Sequence, residues 1–232
     1  MTSLKLVSYN VHRAVGRDRR SMPKRILDVL REIDADVIAL QEVEASDSGV
    51  DMLAWLAAEM GYHAIAGTTL VRHDGHYGNG LLSRWPVANT QLCDLTWRGR
   101  EPRGAIAADI VCNGSGLRVV ATHLGLRPAE RRAQVHQLLQ LFSWRDEDRA
   151  VLLGDLNEWF LWGRPLRRLH RYFRRTRALP TFPATFPVLA LDRVWTHPWS
   201  ILQRVHVHKS HCARVASDHL PLVATVELSP AQ

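Results

Sequence analysis

The chain has 232 residues, 46% hydrophobic and 23% charged, the make-up of one generous globular domain (1–232) with no repeat, linker or low-complexity tract. No apolar run approaches the ~18 residues of a membrane span and the first residues run straight into a strand, so neither a transmembrane anchor nor a signal peptide is expected. Three widely spaced cysteines (Cys93, Cys112, Cys212) argue against a disulfide framework and for a reducing cytoplasm, while 30 Lys+Arg against 23 Asp+Glu, almost all arginine, favour polyanionic partners or reflect a GC-rich genome.

Leu4 to Val11 alternates into an apolar strand that stops at Asn10-Val11-His12. Pro23 opens a helix in which Ile26, Leu27, Leu30 and Ile33 keep helical spacing. Asp36 to Val43 predicts a buried strand, and Asp51 to Met60 a helix carrying Leu53, Leu56 and Met60. Gly78-Asn79-Gly80 reads as a turn leading into Leu81–Trp85, which Pro86 ends. Strands are expected around Val87–Leu95, Gly104–Val111 and Leu117–Thr122, with Asn113-Gly114-Ser115-Gly116 as the hairpin turn between the last two. Pro128 opens a further helix with Ala133, Leu138 and Leu141/Phe142 inward, and Ala150–Leu153 is a strand ending at Asp155. An arginine-rich helix over Arg164–Arg177 precedes strands near Leu191–Thr196, Ile201–Val207 and Leu220–Leu228. Early helices alternating with strands and a hairpin-rich middle predict an α/β protein with mixed or mostly antiparallel sheets.

Apolar segments end repeatedly in chemically competent side chains: Asn10, Gln41-Glu42, Thr122-His123, Asp155-Leu156-Asn157, and Asp218-His219 nearby. Strand ends can hold such groups rigidly at a cleft, and this set makes an oxygen-rich metal site with spare acid/base groups, the equipment of a hydrolase. No G-x-G-x-x-G opens a helix, no P-loop is present, and a G-x-S-x-G elbow is absent, which argues against dinucleotide binding, NTP cradling and serine hydrolysis.

Seven ordered segments carry a resemblance. Ser8-Tyr9-Asn10, Leu40-Gln41-Glu42, Gly78–Arg84, Thr122-His123-Leu124, Gly154-Asp155-Leu156-Asn157, Leu191-Asp192-Arg193 and Ser217-Asp218-His219 resemble the motif set of the endonuclease/exonuclease/phosphatase (DNase I-like) superfamily, from about residue 4 to residue 228. The resemblance implies a four-layered α/β sandwich, two mixed, mostly antiparallel sheets packed face to face with helices outside. Thr181-Phe182-Pro183 and Asn157-Glu158-Trp159 are similar to compact bacterial stand-alone members. Abasic-site endonucleases typically carry a tyrosine where this chain has His123, a departure that argues against a base-excision repair role.

The resemblance, together with phosphodiester chemistry, implies the roles of the site residues. A Mg²⁺ ion (Mn²⁺ as substitute) needs only one or two carboxylates and keeps several waters. Glu42 is the expected ligand, assisted by the Asn10 amide oxygen and by Asp218. His219, oriented by Asp192, either activates water or stabilises developing charge. Asp155 and Asn157, read as two apart on an extended segment, share one side: Asp155 positions water or a second metal and Asn157 donates to a phosphate oxygen. An Asx turn is the structural alternative for that pair. His123 is the candidate general acid or phosphate donor, and Asn79, Arg84 and Arg103 are candidates for substrate binding.

The arginine-rich segment reads as a surface helix held by Leu166, Leu169 and Phe173, with polyanion contact or an anionic membrane surface as sharper alternatives. Basic charge and resemblance together point to a Mg²⁺-dependent phosphodiesterase acting on nucleic acid. The alternatives are hydrolysis of a phospholipid headgroup or small phosphorylated metabolite, and a non-catalytic polyanion-binding module.

Overall fold

The computed structural model describes residues 2–46, 51–73, 75–142 and 148–229. Eleven strands form two sheets among those residues. The six-stranded sheet is ordered β10-β11-β1-β2-β4-β3, built from Leu202–Val207, Leu222–Leu228, Thr2–Asn10, Val37–Ser46, Gly75–Ser83 and His63–Arg72. The five-stranded sheet runs β5-β6-β7-β8-β9 through Val87–Asp94, Gly104–Cys112, Ser115–His123, Ala150–Asp155 and Asp192–His197. Helices α1 (Pro23–Ile33), α2 (Met52–Met60) and α5 (His211–Ala216) cover the first sheet, and α3 (Pro128–Leu138) and α4 (Arg164–Leu169) the second.

The period-two pattern of the strands builds these four layers. Leu4 and Leu6 of β1 and Val37 and Ala39 of β2 meet Ile106, Val119, Val151 and Leu153 between the sheets. Their alternates Val7, Tyr9, Ile38 and Leu40 pack outward against Ile26, Leu27 and Leu30 of α1. On the other side Val120 and Leu152 pack against Val135, Leu138, Leu166 and Leu169. Each fully buried aliphatic side chain contributes about 1.5–3 kcal/mol. No helix among the described residues is long and apolar enough to cross a membrane.

Each sheet contains one parallel pair at its heart, β1 beside β2 and β7 beside β8, while its other pairings are antiparallel. Each parallel pairing ends at the same edge, with Asn10 beside Gln41 and His123 beside Asp155. The stacking of the sheets brings those two sets of strand ends to one rim.

Local readings hold at the Pro23 and Pro128 helix starts and at Asn113-Gly114, whose φ values of 49° and 76° make a tight hairpin turn. Three expectations change. Gly78-Asn79-Gly80 is the middle of β4 rather than a turn, because a Cβ at Gly78 would lie 2.3 Å from the Gly67 carbonyl and one at Gly80 2.5 Å from Leu53. The arginine-rich helix ends at Leu169, after which the chain turns to tuck Phe173 beneath Phe142 and Trp195. In α3 Ala133 is half-buried, and Glu130, Arg131 and Gln134 take the inward face beside Val135 and Leu138. Edge strand β3 and the short helix α5 are additions.

Candidate active site

Asp155 is the hub. It ends β8, where its Oδ1 accepts from the Asn157 backbone N–H at 2.9 Å in an Asx turn, with Asn157 in the left-handed region at φ 49°. The pair is therefore not extended, and the turn and the site coexist. Asp155 Oδ2 accepts from Asn10 Nδ2 at 3.1 Å and lies 3.6 Å from His123 Nε2 and 3.7 Å from His219 Nε2. Asn157 Nδ2 lies 3.0 Å from His123 Nε2 and donates to the Leu124 carbonyl at 2.9 Å, which fixes the imidazole beside the carboxylate.

Glu42 reaches the same place by backbone distortion. The β2–β4 register shifts between Leu40 and Val43, and Glu42 sits in that bulge at φ 59°. A non-glycine residue there costs of order 1–3 kcal/mol and re-aims its side chain off the strand's normal alternation. Asn10 Nδ2 donates to Glu42 Oε1 at 2.9 Å, while Asn10 Oδ1 accepts from the His12 N–H at 3.0 Å. The Asn10 amide thus ties Glu42 to Asp155 with its NH₂ rather than offering its oxygen to the cleft. Tyr77 is hydrogen-bonded to Glu42, and burial, then the Glu42 charge, pushes its hydroxyl upward so that it stays a proton donor.

His219 is held from behind. Its Nδ1 lies 2.8 Å from Asp192 Oδ2, which also accepts from Thr181 Oγ1 at 2.5 Å, and Ser217 Oγ accepts from its backbone N–H at 3.3 Å. Burial works against the imidazolium, but the Asp192 and Asp155 carboxylates and the Asp192 hydrogen bond outweigh it, and His219 is pushed up to about 10. His123 moves the other way. Burial, against the pull of Asp155 and aided by Arg103 and His219, holds it down at about 3, a neutral ring. Arg103 Nη1 lies 2.9 Å from His123 Nδ1, and Arg103 Nη2 donates to Glu101 at 2.9 Å.

These groups line a cleft of about 400 Å³ whose walls include Asn10, Glu42, Arg103, His123, Asp155, Asn157 and His219. Asp192 stands behind His219. Asp218 does not line that cleft; it is partly exposed, with Oδ1 3.8 Å from His12 Nδ1. Two expected substrate-binding residues lie elsewhere. Asn79 donates to the Gly104 carbonyl at 2.9 Å and braces the sheets against each other just after Arg103. Arg84 follows β4, whose antiparallel course places Ser83 beside Val37 at the start of β2, far from Glu42. There it bonds Asp36 at 3.0 Å, Asp34, and the Tyr62 hydroxyl at 2.7 Å. Thr181, Tyr77 and Glu101 join the site without having been expected there; only Thr181 carries a sequence signal, in the Thr181-Phe182-Pro183 run.

Residues 7–219 match the sequence model of the Endonuclease/Exonuclease/phosphatase family. The chain belongs to that family. It is 31% identical over 252 residues to the uncharacterized protein YbhP of Escherichia coli K12, a match covering 97% of each. Among solved structures it resembles the endonuclease/exonuclease/phosphatase from Beutenbergia cavernae, with a TM-score of 0.84 and 25% identity over 98% of this chain and 72% of that one. In fold alone it also resembles D. rerio TDP2 complexed with single strand DNA product, with a TM-score of 0.73, 16% identity, and 98% and 100% of the two chains covered.

The endonuclease/exonuclease/phosphatase family hydrolyses phosphoester bonds and depends on divalent metal. The donors present fit such an ion: Glu42 and Asp155 offer hard carboxylate oxygens, linked through Asn10 and facing one cleft. The buried trio Asp155, Asp192 and His219 has its ligand atoms within 4.8 Å of one another. It suits an ion less, because His219 Nδ1 and Asp192 Oδ2 engage each other at 2.8 Å.

Proposed function

We propose that this family member is a divalent-metal-dependent phosphodiesterase whose preferred substrate is nucleic acid. The observation that carries the reading is the single oxygen Asp155 Oδ2, which gathers Asn10, His123 and His219 from three remote segments. Glu42 and Asp155 would hold the cation, which supplies Lewis-acid charge at a phosphate oxygen. Asp155 orients the attacking water and takes its proton. His219, with Asp192 behind it, presents positive charge to the negative charge that builds on the phosphoryl oxygens. His123 and Arg103 stand on the other flank, where a leaving-group or non-bridging oxygen meets the guanidinium that His123 holds in place. Of the two roles expected for His219, charge stabilisation fits its raised value better than proton abstraction.

A phospholipid headgroup or small phosphoester is the second reading, favoured by the apolar Leu126 and Trp159 at the mouth of the cleft. Purified protein with Mg²⁺ or Mn²⁺ is offered plasmid DNA, single-stranded DNA, RNA and phospholipid vesicles. Turnover of nucleic acid that EDTA and Glu42→Gln both suppress is the expected outcome. Inactivity on every nucleic acid beside turnover of lipid overturns the preferred substrate, and inactivity on all phosphoesters overturns the reading itself.

A further inference from the structure

Immediately after Asn157 and Glu158 the chain exposes four large apolar residues in a row. Trp159, Phe160, Leu161 and Trp162 are all exposed, Trp162 at 72%. A second apolar projection, Phe186 (76% exposed) and Val188, lies between Phe182 and Leu189, which line the cleft. Monomeric proteins rarely leave such contiguous apolar surface in water without a use for it.

The first loop is built to be presented. Beneath it Arg131 and Glu158 form an ion pair at 3.2 Å, both side chains fully buried, and Glu158 Oε1 also accepts from the Phe160 N–H at 3.2 Å. The Arg131 guanidinium lies 5.2 Å from the Trp159 ring centre. Phe160 lies 5.9 Å from Trp159 and 6.4 Å from Trp162, so the rings brace one another. Gly163 closes the loop where a Cβ would come within 2.7 Å of the Glu158 carboxylate.

Charge accompanies the apolar tip. Arg164, Arg167, Arg168 and Arg171, with Arg132 from α3, line a depression of about 430 Å³ that begins two residues after Trp162. From Trp159 to Leu191 the sequence holds seven arginines and no Asp or Glu. Without those seven the chain would carry 23 basic and 23 acidic residues, so this segment accounts for the entire net charge of +7.

We propose that the 159–162 loop and the adjoining arginines form a docking surface for an anionic phospholipid bilayer. Tryptophan and phenylalanine settle at the water–hydrocarbon boundary, and arginines beside them meet lipid phosphates. Aromatic side chains and arginines also suit single-stranded nucleic acid. Leu161 and Val188, however, offer no ring for a base, and an aliphatic and aromatic surface together match hydrocarbon better. The surface goes beyond the phosphodiesterase reading, because docking holds whichever phosphoester the cleft takes.

The test is co-sedimentation of the full chain with vesicles of phosphatidylcholine alone or mixed with phosphatidylglycerol, alongside a single-stranded oligonucleotide. Binding to the mixed vesicles, weakened at least tenfold by salt and tenfold by Phe160→Ser/Trp162→Ser or by Arg168→Glu/Arg171→Glu, is expected. Val71→Ser, at an exposed position on another strand, should leave binding unchanged. Hydrolysis of a soluble phosphodiester by the loop variant should remain that of the wild type, which separates this surface from the cleft. No vesicle binding, or loss of oligonucleotide binding alone in the loop variant, would overturn the proposal.

Discussion

The two flanks of the cleft are built around imidazoles that are equally buried, 4% exposed at His123 and 5% at His219, yet their pKa values are displaced in opposite directions. Both rings approach the same oxygen of Asp155, at 3.6 and 3.7 Å. Burial opposes the cation on both sides. What differs is the group behind each ring: a guanidinium, Arg103, behind His123 and a carboxylate, Asp192, behind His219. Second partners, rather than depth, set the sign. A phosphate entering between the flanks meets a fixed imidazolium on one side and a neutral ring backed by a guanidinium on the other.

The largest break in that comparison is removal of the imidazolium. His219→Ala should lower kcat on a soluble phosphodiester by roughly 10²–10⁴-fold, the range for a lost acid/base or charge-stabilising group. His123→Ala should lower it less, and steady-state kinetics showing the reverse order would reassign the flanks. Asp192→Asn is gentler, since it keeps the shape and removes the charge. In the wild type the His219 cation persists through neutrality and is lost as pH rises through about 10. In the variant the alkaline limb of the kcat profile should move down toward neutral pH. Activity at about pH 8 should fall roughly 10- to 100-fold and partly return on acidification. The same raised value contributes stability that is fully present below 6.5 and disappears as pH climbs through about 10. The melting-temperature gap between wild type and Asp192→Asn should therefore narrow across that window.

Smaller effects sharpen the contrast. Arg103→Met removes the guanidinium behind His123, so that ring should protonate at higher pH, and KM should rise by about tenfold through the lost charge-assisted contact. Arg84→Ala is the control from the far end of the sheet. It should leave kcat/KM within about twofold and cost no more than about 1 kcal/mol in denaturant unfolding, because its own guanidinium is exposed and screened by water.

The fate of those two arginines shows what a linear sequence discloses. Asn10, His123, Asp155 and His219 are legible because each lies at or just beyond the boundary of a short regular element, while Glu42 closes an apolar run in the sequence and sits in a bulge inside β2. The parallel β1–β2 and β7–β8 pairings end on the same rim. Arg84 follows a strand end too, but β4 runs antiparallel to β2, and strand direction is not written in local periodicity. Asn79 misleads for a related reason. Its flanking glycines signal a turn when seen alone, whereas they relieve contacts with Gly67 and Leu53 that only the assembled sheet creates. Tyr77, beside Glu42, is an ordinary residue until the fold sets it there, and Thr181, which completes the Asp192 hydrogen bonding, stands out only through the Thr181-Phe182-Pro183 run. Arg103, a substrate-binding candidate from the sequence, lines the cleft through its contact with His123.

The most direct measurement is long-range ¹H–¹⁵N correlation of histidine-labelled, metal-free protein, which reports the charge of each ring separately. The account predicts that His219 remains an imidazolium up to about pH 9 while His123 stays neutral down to about pH 5, consistent with the values of about 10 and about 3 set by Asp192 and by burial beside Arg103. Two rings titrating together near about pH 6.5 would contradict it.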